Sequence, residues 1–384
     1  HRIADTYGPL VYHQLGETPR VYGLQEAYTR FFADLDEGQQ LIREYLDEGG
    51  DNNKFKEYDM LTNGKTLKEW LKFANSLRLR LAMRISNVDA TLAKDQATKA
   101  LNDNQGVLEG ARETIAVMGK NYINPLCAVA GWGEVYMNAS MESIINGYED
   151  PRGKKWYNTA LLEGYQKQLL GIPIGLPMKD GDANIYSFCS SLNTSTIGEK
   201  TGAVLMSAAE VWLLRAEAAL RGYTKENPRT CYEYGVSTSF TQWDCAGASE
   251  YLESDKTPAD YKDVVSGGKV GKDMKALITI SPKWEEDADI ETKLEKIITQ
   301  KWLACWPESY EAWAEQRRTG YPKLFKVQNN TGKVIDTDIM IRRLPFSTDA
   351  ATADPAQYAT LTEKLGGADN GATRLWWDTG KNSF

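Results

Sequence analysis

Capping residues placed just before apolar stripes constrain this chain most, because they mark where helices begin. Thr66 and Glu69 have the spacing of a capping box, in which each side chain bonds the other residue's backbone N–H. Apolar residues then recur at helical spacing over about five turns: Leu67, Leu71, Ala74, Leu77, Leu81 and Ile85. Arg78, Arg80 and Arg84 lie off this stripe, so we expect them to face solvent or an acidic neighbouring helix.

A second capping box, Ser207 with Glu210, begins a helical segment that stops at Gly222, where a left-handed C-cap belongs. After a turn at Pro228, another helical face carries Tyr232, Val236, Phe240 and Trp243. Two helices joined by a short turn, with small residues at their contact, are typical of tetratricopeptide-type hairpins. The period of roughly 34 residues that marks such repeats is not strict here, so we predict degenerate hairpins.

The stretch QKWLACWPESYEAWAEQRRTGYP, residues 300–322, mixes tryptophans with carboxylates and guanidinium groups. This composition suits either a ligand site or an amphipathic helix pair. An apolar stripe runs from Ile290 to Trp302, Pro307 interrupts the chain, and a second helix ends at Gly320. The periodicity therefore favours a helix pair that belongs to the frame of the protein.

The second helix of this pair has two distinct faces. Tyr310 and Trp313 lie three residues apart on one face, which we expect to point inward. Glu311, Glu315 and Arg318 are expected to form a charged outer face, in which Arg318 pairs with Glu315 three residues before it.

These segments, with a further periodic one from about Gln25 to Leu46, predict a mainly α protein with few short strands. We expect residues 1–384 to form a single domain. Residues 111–133 and 149–200 are irregular and rich in Gly, Pro, Asn and Ser, as is the tail beyond about residue 327. Long loops of this kind usually carry function, so a loop-rich binding region is predicted within residues 111–200.

The composition excludes several classes of protein. A net charge of −8 and a pI near 5.2 provide no basic field for nucleic acid or anionic lipid. The five cysteines fit neither a disulfide framework nor a zinc site, and only Cys231 and Cys245 are close enough in sequence to suggest a bridge. The two histidines, His1 and His13, lie at the start, so His-based triads and His-ligated metals are not expected in the body of the chain.

Local motifs point to no cofactor, metal or catalytic residue. GGKVGK at 267–272 has three residues between its glycines where a phosphate loop needs four, and Asp273 follows in place of Ser or Thr. DGDAN at 180–184 begins like a calcium loop but has Ile185 at position 6 and Ser191 at position 12, which excludes an EF-hand. The acidic run at 285–291 suits a solvated helix start.

Several stretches together resemble SusD/RagB-type proteins, in the order and spacing of that family. They are HRIADTYGPLVY, EWLKFANSLRLRLAMRIS, YEDPRGKKWY, SAAEVWLLRAEAALRGY, YEYGVSTSFTQW and ITQKWLACWPESYEAWAEQRRTGYPKL. The resemblance implies a mainly helical, tetratricopeptide-like SusD fold. It implies a cell-surface lipoprotein of Bacteroidetes, facing outward on the outer membrane, that binds glycans and is not an enzyme. The implied partner is a SusC-like TonB-dependent transporter, and the implied link to the membrane is an N-terminal lipid anchor, which this sequence lacks.

A glycan site needs exposed aromatic platforms for the C–H face of a sugar and polar groups for its hydroxyls. The loop-rich region supplies both, and the candidate ligand-binding residues are Tyr122, Asn124, Trp132, Arg152, Trp156, Tyr157 and Tyr186. Within this set, Trp132, Trp156 and Tyr186 are assigned to stacking, and Asn124 and Arg152 to hydroxyl contacts. Each aromatic ring has the alternative role of fastening a loop onto the helical core.

Other functions stay open from the sequence. The same scaffold binds peptides or other nutrients in some SusD-like proteins. An all-helical glycoside hydrolase or lyase would use aromatics similarly but needs two carboxylates at a defined separation. A helical-repeat scaffold for protein partners is the third alternative.

Overall fold

The computed structural model describes residues 1–13, 19–62, 64–119, 121–178, 183–381 and 383–384. These residues form fourteen α-helices. The helices are α1 (Arg2–Tyr7), α2 (Leu24–Asp47), α3 (Leu67–Arg84), α4 (Ala90–Leu101), α5 (Pro125–Gly131), α6 (Ala139–Tyr148), α7 (Gly153–Trp156), α8 (Ala208–Leu220), α9 (Pro228–Gln242), α10 (Ala248–Leu252), α11 (Ile290–Ala304), α12 (Ser309–Thr319), α13 (Ala350–Ala353) and α14 (Pro355–Leu365). The prediction of a mainly α fold is confirmed.

Extended structure is short, as the sequence predicted. The described residues contain two antiparallel strand pairs. One joins β1 (Leu10–Val11) to β2 (Val21–Tyr22), and the other joins β3 (Ile115–Val117) to β4 (Ala203–Met206). The second pair brings the two ends of the loop-rich region together.

The capping chemistry acts as expected at α3 and only in part at α8. Thr66 Oγ1 accepts a bond from the Glu69 backbone N at 3.2 Å, and Glu69 Oε2 accepts one from the Thr66 N at 2.8 Å. At α8, Ser207 Oγ accepts a bond from the Glu210 N at 3.1 Å. The Glu210 carboxylate instead binds Arg80 of α3, whose Nη2 lies 2.6 Å from Oε2. At α8, therefore, only the Ser207 half of the capping box forms, because the Glu210 side chain is used in an ion pair with another helix.

Helix hairpins build the frame. α8 and α9 pack against each other, and α11 packs on both. At Gly235 of α9, a Cβ atom would lie 2.6 Å from Leu213 Cγ of α8, so only glycine allows the helices this close. The largest apolar core lies among these helices and α6, and smaller ones lie near α2 and between α3, α4 and α8.

The charges of α12 lie on the opposite side from the one predicted. Glu311, Glu315 and Arg318 are buried, with 3%, 1% and 1% of their surface exposed, while Tyr310 is 51% exposed. The prediction of a charged outer face and an inward Tyr310 was therefore wrong. The predicted contact between Arg318 and Glu315 does form, but inside the protein.

Neighbouring helices supply the partners that make this burial tolerable. Arg84 of α3 donates to both carboxylates, with 2.6 Å between its Nη2 and Glu311 Oε2. Lys301 Nζ of α11 lies 2.8 Å from Glu311 Oε1 and 3.4 Å from Glu315 Oε2. Arg318 Nη2 also reaches Glu217 Oε2 of α8 at 2.7 Å. We call this set, with Arg80 and Glu210, the buried ion network; each charge in it faces opposite charge.

The arginines of α3 therefore meet acidic neighbours rather than solvent. Arg78, the third of them, is fully buried and places its Nη2 2.6 Å from Asp36 Oδ1 of α2. Burial opposes ionisation of Glu315, but Arg318, Lys301 and Arg84 outweigh it and lower its pKa to about 2.

The cysteines are unbridged. Cys231 and Cys245 are both free thiols, with Cys231 buried and Cys245 half-buried, so the bridge suggested by their spacing does not form.

We predict that Glu315→Ala destabilises the protein by about 3–5 kcal/mol at neutral pH, because it leaves Arg84, Lys301 and Arg318 buried with too few partners. Urea unfolding of wild type and variant measures the difference. The pKa of Glu315 is about 2 in the fold, below its ordinary value of 4.5. This stabilisation is therefore present above about pH 4.5 and is lost as the pH falls towards about 2.

The matched control is Glu37→Ala, because Glu37 carries the same charge but is 66% exposed and lies 3.4 Å from its partner Arg30. Its cost is expected to stay below about 1 kcal/mol. Equal costs for the two variants would contradict the role given to the buried ion network.

Candidate functional site

A cleft of about 370 Å³ opens between the start of α5, the segment that leads into α6, the junction of α11 and α12, and residues 340–341. This volume lies in the usual range for small-molecule sites. Four aromatic side chains line it: Tyr157, Trp302, Trp306 and Trp313. Apolar residues make up most of the remaining wall, among them Leu126, Val135, Met141, Leu192, Leu324 and Ile341. We refer to this feature as the aromatic cleft.

Trp306 is held rigidly at the back of the aromatic cleft. Trp156 stacks on it with ring centroids 5.0 Å apart and planes 18° from parallel. Trp243 meets the Trp306 ring edge-on at 5.2 Å. The Nε1 of Trp306 donates to Tyr157 Oη at 3.1 Å. A ring fixed in this way loses little freedom when a ligand packs against it.

Trp313 is fixed from its other side. The Arg317 guanidinium lies over the Trp313 ring, 3.6 Å from its centroid. The Nε1 of Trp313 donates to the Ile341 carbonyl at 3.4 Å. Trp302, at the end of α11, is half-buried and lines the same wall. The junction of the two helices around Pro307 is what brings these rings to one cleft.

Polar groups in the lining are few, and most are already engaged. Asn138 Oδ1 caps α6 by accepting from the Met141 N at 2.9 Å. Glu308 Oε2 caps α12 by accepting from the Glu311 N at 3.0 Å, and its Oε1 lies 3.0 Å from Arg2 Nη2. Burial raises the pKa of Glu308 to about 7. Ser309 and Gln316, which are exposed and half-buried, complete the polar lining.

One residue predicted to bind ligand lines the aromatic cleft, and a second lies in the chain between two lining residues. Tyr157 lines it, although only 7% of its surface is exposed. Trp132 is 69% exposed at the C-terminus of α5, between Leu126 and Val135 in the chain, both of which line the cleft. Trp132 is therefore the predicted residue best able to offer an open ring face.

Two more of the predicted residues lie in the segment that leads into α5. Asn124 is 3% exposed, caps α5 through its Oδ1 and donates from Nδ2 to the Thr201 carbonyl at 3.0 Å. Its amide is committed to the frame, so its assignment to hydroxyl contacts is corrected. Tyr122 is half-buried, outside the lining of the aromatic cleft.

The remaining three predicted residues are internal, and their assigned roles are corrected too. Arg152 is fully buried and donates to Asp150 and, at 2.8 Å, to Ser239 Oγ. Trp156, also fully buried, supports Trp306 from behind. Tyr186 is 1% exposed, and its Oη donates to Asp263 Oδ1 at 3.1 Å. Their burial depends on contacts with residues far away in sequence, which local composition does not reveal.

Sequence reasoning assigned Trp302 and Trp313 to the frame, and the structure shows that each also faces the aromatic cleft. The sequence did contain a signal for this wall, since tryptophans lie on both sides of the proline that separates the two helices. A helix break turns the ends of both stripes towards one opening, so such residues are candidates for a ligand wall.

The calcium-like motif falls partly outside the described residues, since Asp180, Gly181 and Asp182 are not among them. Within the residues that are described, no group of three or more His, Cys, Asp or Glu side chains is arranged to hold a metal ion. The described helices include none that is both long and apolar enough to cross a bilayer.

Comparison with known proteins identifies the family. A family model described as SusD-like, Susd and RagB outer membrane lipoprotein, matches residues 1–378. The chain therefore belongs to the SusD/RagB family of outer-membrane lipoproteins. A comparison with curated proteins finds no match.

Solved structures agree with this assignment. A SusD homologue from Bacteroides vulgatus is 56% identical, with a TM-score of 0.96 over 100% of this chain and 78% of that one. A chitin-binding SusD homologue from Flavobacterium johnsoniae is 36% identical, with a TM-score of 0.93 over 100% of this chain and 79% of that one. A SusD-like protein from Bacteroides thetaiotaomicron is 32% identical, with a TM-score of 0.89 over 98% and 78%.

Glu142 and Asp263 lie in a buried polar cluster with Tyr186, and the protonation of Glu142 affects stability. Glu142 of α6 accepts a bond from the Gly171 N at 2.5 Å, and burial together with the charge of Asp263 raises its pKa to about 8. The fold therefore binds a proton that the unfolded chain releases above about pH 4.5, so Glu142 lowers stability as the pH rises from there towards about 8.

We expect Glu142→Gln to be more stable than wild type near pH 8 by a few kcal/mol, because the amide keeps the hydrogen bond without the charge. The difference should vanish near pH 4, where both side chains are neutral. Thermal unfolding across this range measures it. The exposed Glu163→Gln is the control, and a pH-independent difference at position 142 would count against the raised pKa.

Proposed function

We propose that the protein binds a glycan at the aromatic cleft, with Trp132 on its rim, and delivers it to a SusC-like TonB-dependent transporter. The observation that carries this proposal is the set of fixed indole rings around one opening of about 370 Å³. Membership of the SusD/RagB family supports a role in nutrient binding at the outer membrane.

Sugar chemistry matches this wall. A pyranose presents an apolar C–H face that packs on an indole ring, and a hydroxyl edge that needs donors and acceptors. Trp302 and Trp313 supply ring faces, while Gln316 and Ser309 supply polar groups at the wall. Trp132 extends the apolar surface outward, which suits a polymer longer than the cleft.

The first ligand to test is chitin, because a relative with 36% identity over the full chain is a chitin-binding protein. The mainly apolar lining of the cleft also suits apolar side chains of a peptide, which makes peptide the second candidate. A panel that contains both classes separates them.

We also propose that the protein faces outward on the outer membrane and is tied to it by an N-terminal lipid anchor, as a partner of the transporter. The family description as an outer-membrane lipoprotein supports this. Co-expression with a SusC-like transporter from the same organism, followed by size-exclusion chromatography, tests the complex. Elution of the two proteins as separate species would contradict it.

Trp302→Ala and Trp132→Ala are expected to weaken binding of chitohexaose by about thirtyfold or more, the usual loss when a tryptophan at a binding hot spot is truncated. Isothermal titration calorimetry with chitin, starch, mannan and xylan oligosaccharides and a peptide mixture measures it. Thermal unfolding of each variant confirms that it is folded.

Tyr234→Ala is the control, since Tyr234 is 54% exposed, packs at a tilt against Trp212 of α8 and does not line the aromatic cleft. It should bind like wild type. Binding of no glycan at all, or unchanged binding by both tryptophan variants, would sink the proposal.

We further propose that the protein does not cleave the glycan it binds. Glycoside hydrolysis needs an acid and a second carboxylate across the scissile bond, and Glu308 is the one carboxylate among the described residues that line the aromatic cleft. Prolonged incubation with the bound glycan should produce no new reducing ends, with a hydrolase of the same polymer as positive control. A steady rise that the Glu308→Gln variant abolishes would show an enzyme instead.

A further inference from the structure

The interior of the aromatic cleft offers a sugar ring few hydrogen bonds. The carboxylate of Glu308 and the amide oxygen of Asn138 already accept bonds from helix N-termini. The other polar side chains of the lining are Gln316 and Ser309, both on α12, and the Nδ2 of Asn138 and the hydroxyl of Tyr157 add one donor group each. An unsubstituted sugar ring placed deep inside would therefore lose water from hydroxyls that find no partner there, at a cost of about 1–3 kcal/mol for each group.

Charged substituents fit the interior no better. The lining described for the cleft contains no Lys or Arg that could meet a carboxylate or sulfate. A free ammonium group would find Glu308, but Arg2 Nη2 already lies 3.0 Å from that carboxylate. Burying a charge in this apolar interior without a partner of opposite charge has a large desolvation cost.

Neutral apolar groups fit the interior well. Leu126, Val135, Met141, Leu192 and Ala312 face it together with the indole rings. Burial of apolar ligand surface against these side chains is favourable, whereas they can form no hydrogen bond with a hydroxyl. The volume of about 370 Å³ leaves room for a group larger than a methyl.

We propose that the interior of the aromatic cleft binds an acyl substituent of the glycan, the N-acetyl group of an amino sugar, while the sugar ring lies across Trp302 and the rim at Trp132. This inference rests on the proposed function and deepens it. The acyl chain packs among the apolar side chains, and the ring hydroxyls stay where water and Gln316 reach them. Selectivity for acylated over deacylated polymer then comes from burial of carbon.

A series of hexasaccharides of β-1,4-linked glucosamine, N-acylated with formyl, acetyl, propionyl or butyryl groups, tests this directly. All four are neutral and differ only in apolar length. Affinity measured by calorimetry should rise about fourfold with each added methylene, until the cleft is filled. The free-amine hexamer should bind more weakly than any of them.

Two variants locate the effect. Ala312→Leu fills the interior from α12, where leucine is a good helix former, and should abolish the gain from formyl to butyryl. Val135→Thr keeps the shape but places a hydroxyl in the wall, and should reduce the gain for each methylene. Thermal unfolding confirms that both variants are folded, so either one can carry the test.

The outcomes separate this inference from the proposed function. Equal affinity across the series, with binding still dependent on Trp302, would overturn the acyl site and leave glycan binding intact. Binding of an unacylated glycan in place of the whole series would do the same. Trp302-dependent binding of peptide alone, or no binding of any glycan, would overturn both.

Discussion

The buried ion network is the interaction on which the rest of the fold depends. Arg80 and Arg84 of α3 and Lys301 of α11 meet carboxylates of α8 and α12, and each charge is buried. Such charges are tolerated only when every partner is in place, because one that is left alone costs several kcal/mol. The network therefore sets the rotation of α12 about its axis. With Glu311 and Glu315 turned inward, the neighbouring Ala312 and Trp313 face the aromatic cleft.

Helix positions were readable from the sequence because capping and apolar spacing are local properties. α3 begins at Leu67, directly after the predicted cap at Thr66, and α12 ends at Thr319, before the predicted Gly320. The direction that α12 faces was not readable. Its aromatic side and its charged side are both periodic, and the outcome depends on Arg84, which lies 227 residues from Glu311 along the chain.

The candidate site was only partly predictable for the same reason. Composition led to the loop-rich region, where Trp132 is exposed and lies in the chain between Leu126 and Val135, which line the aromatic cleft. Arg152 and Tyr186 both lie in irregular sequence, yet each is engaged by a side chain distant along the chain: Arg152 donates to Ser239, 87 residues away, and Tyr186 to Asp263, 77 residues away. An arginine or tyrosine in irregular sequence serves a ligand or the fold according to such partners, and local sequence does not name them.

Frame and site are not alternatives for residues 300–322. One side of the second helix carries the carboxylates that neutralise α3 and α11, and the adjoining positions carry Trp313 and Ala312 towards the aromatic cleft. A substitution that disturbs the charges would therefore move the cleft wall as well. Rigid walls favour binding because a ligand that meets fixed rings does not bear the cost of ordering them. A stable charged core beneath an apolar wall gives the protein that rigidity.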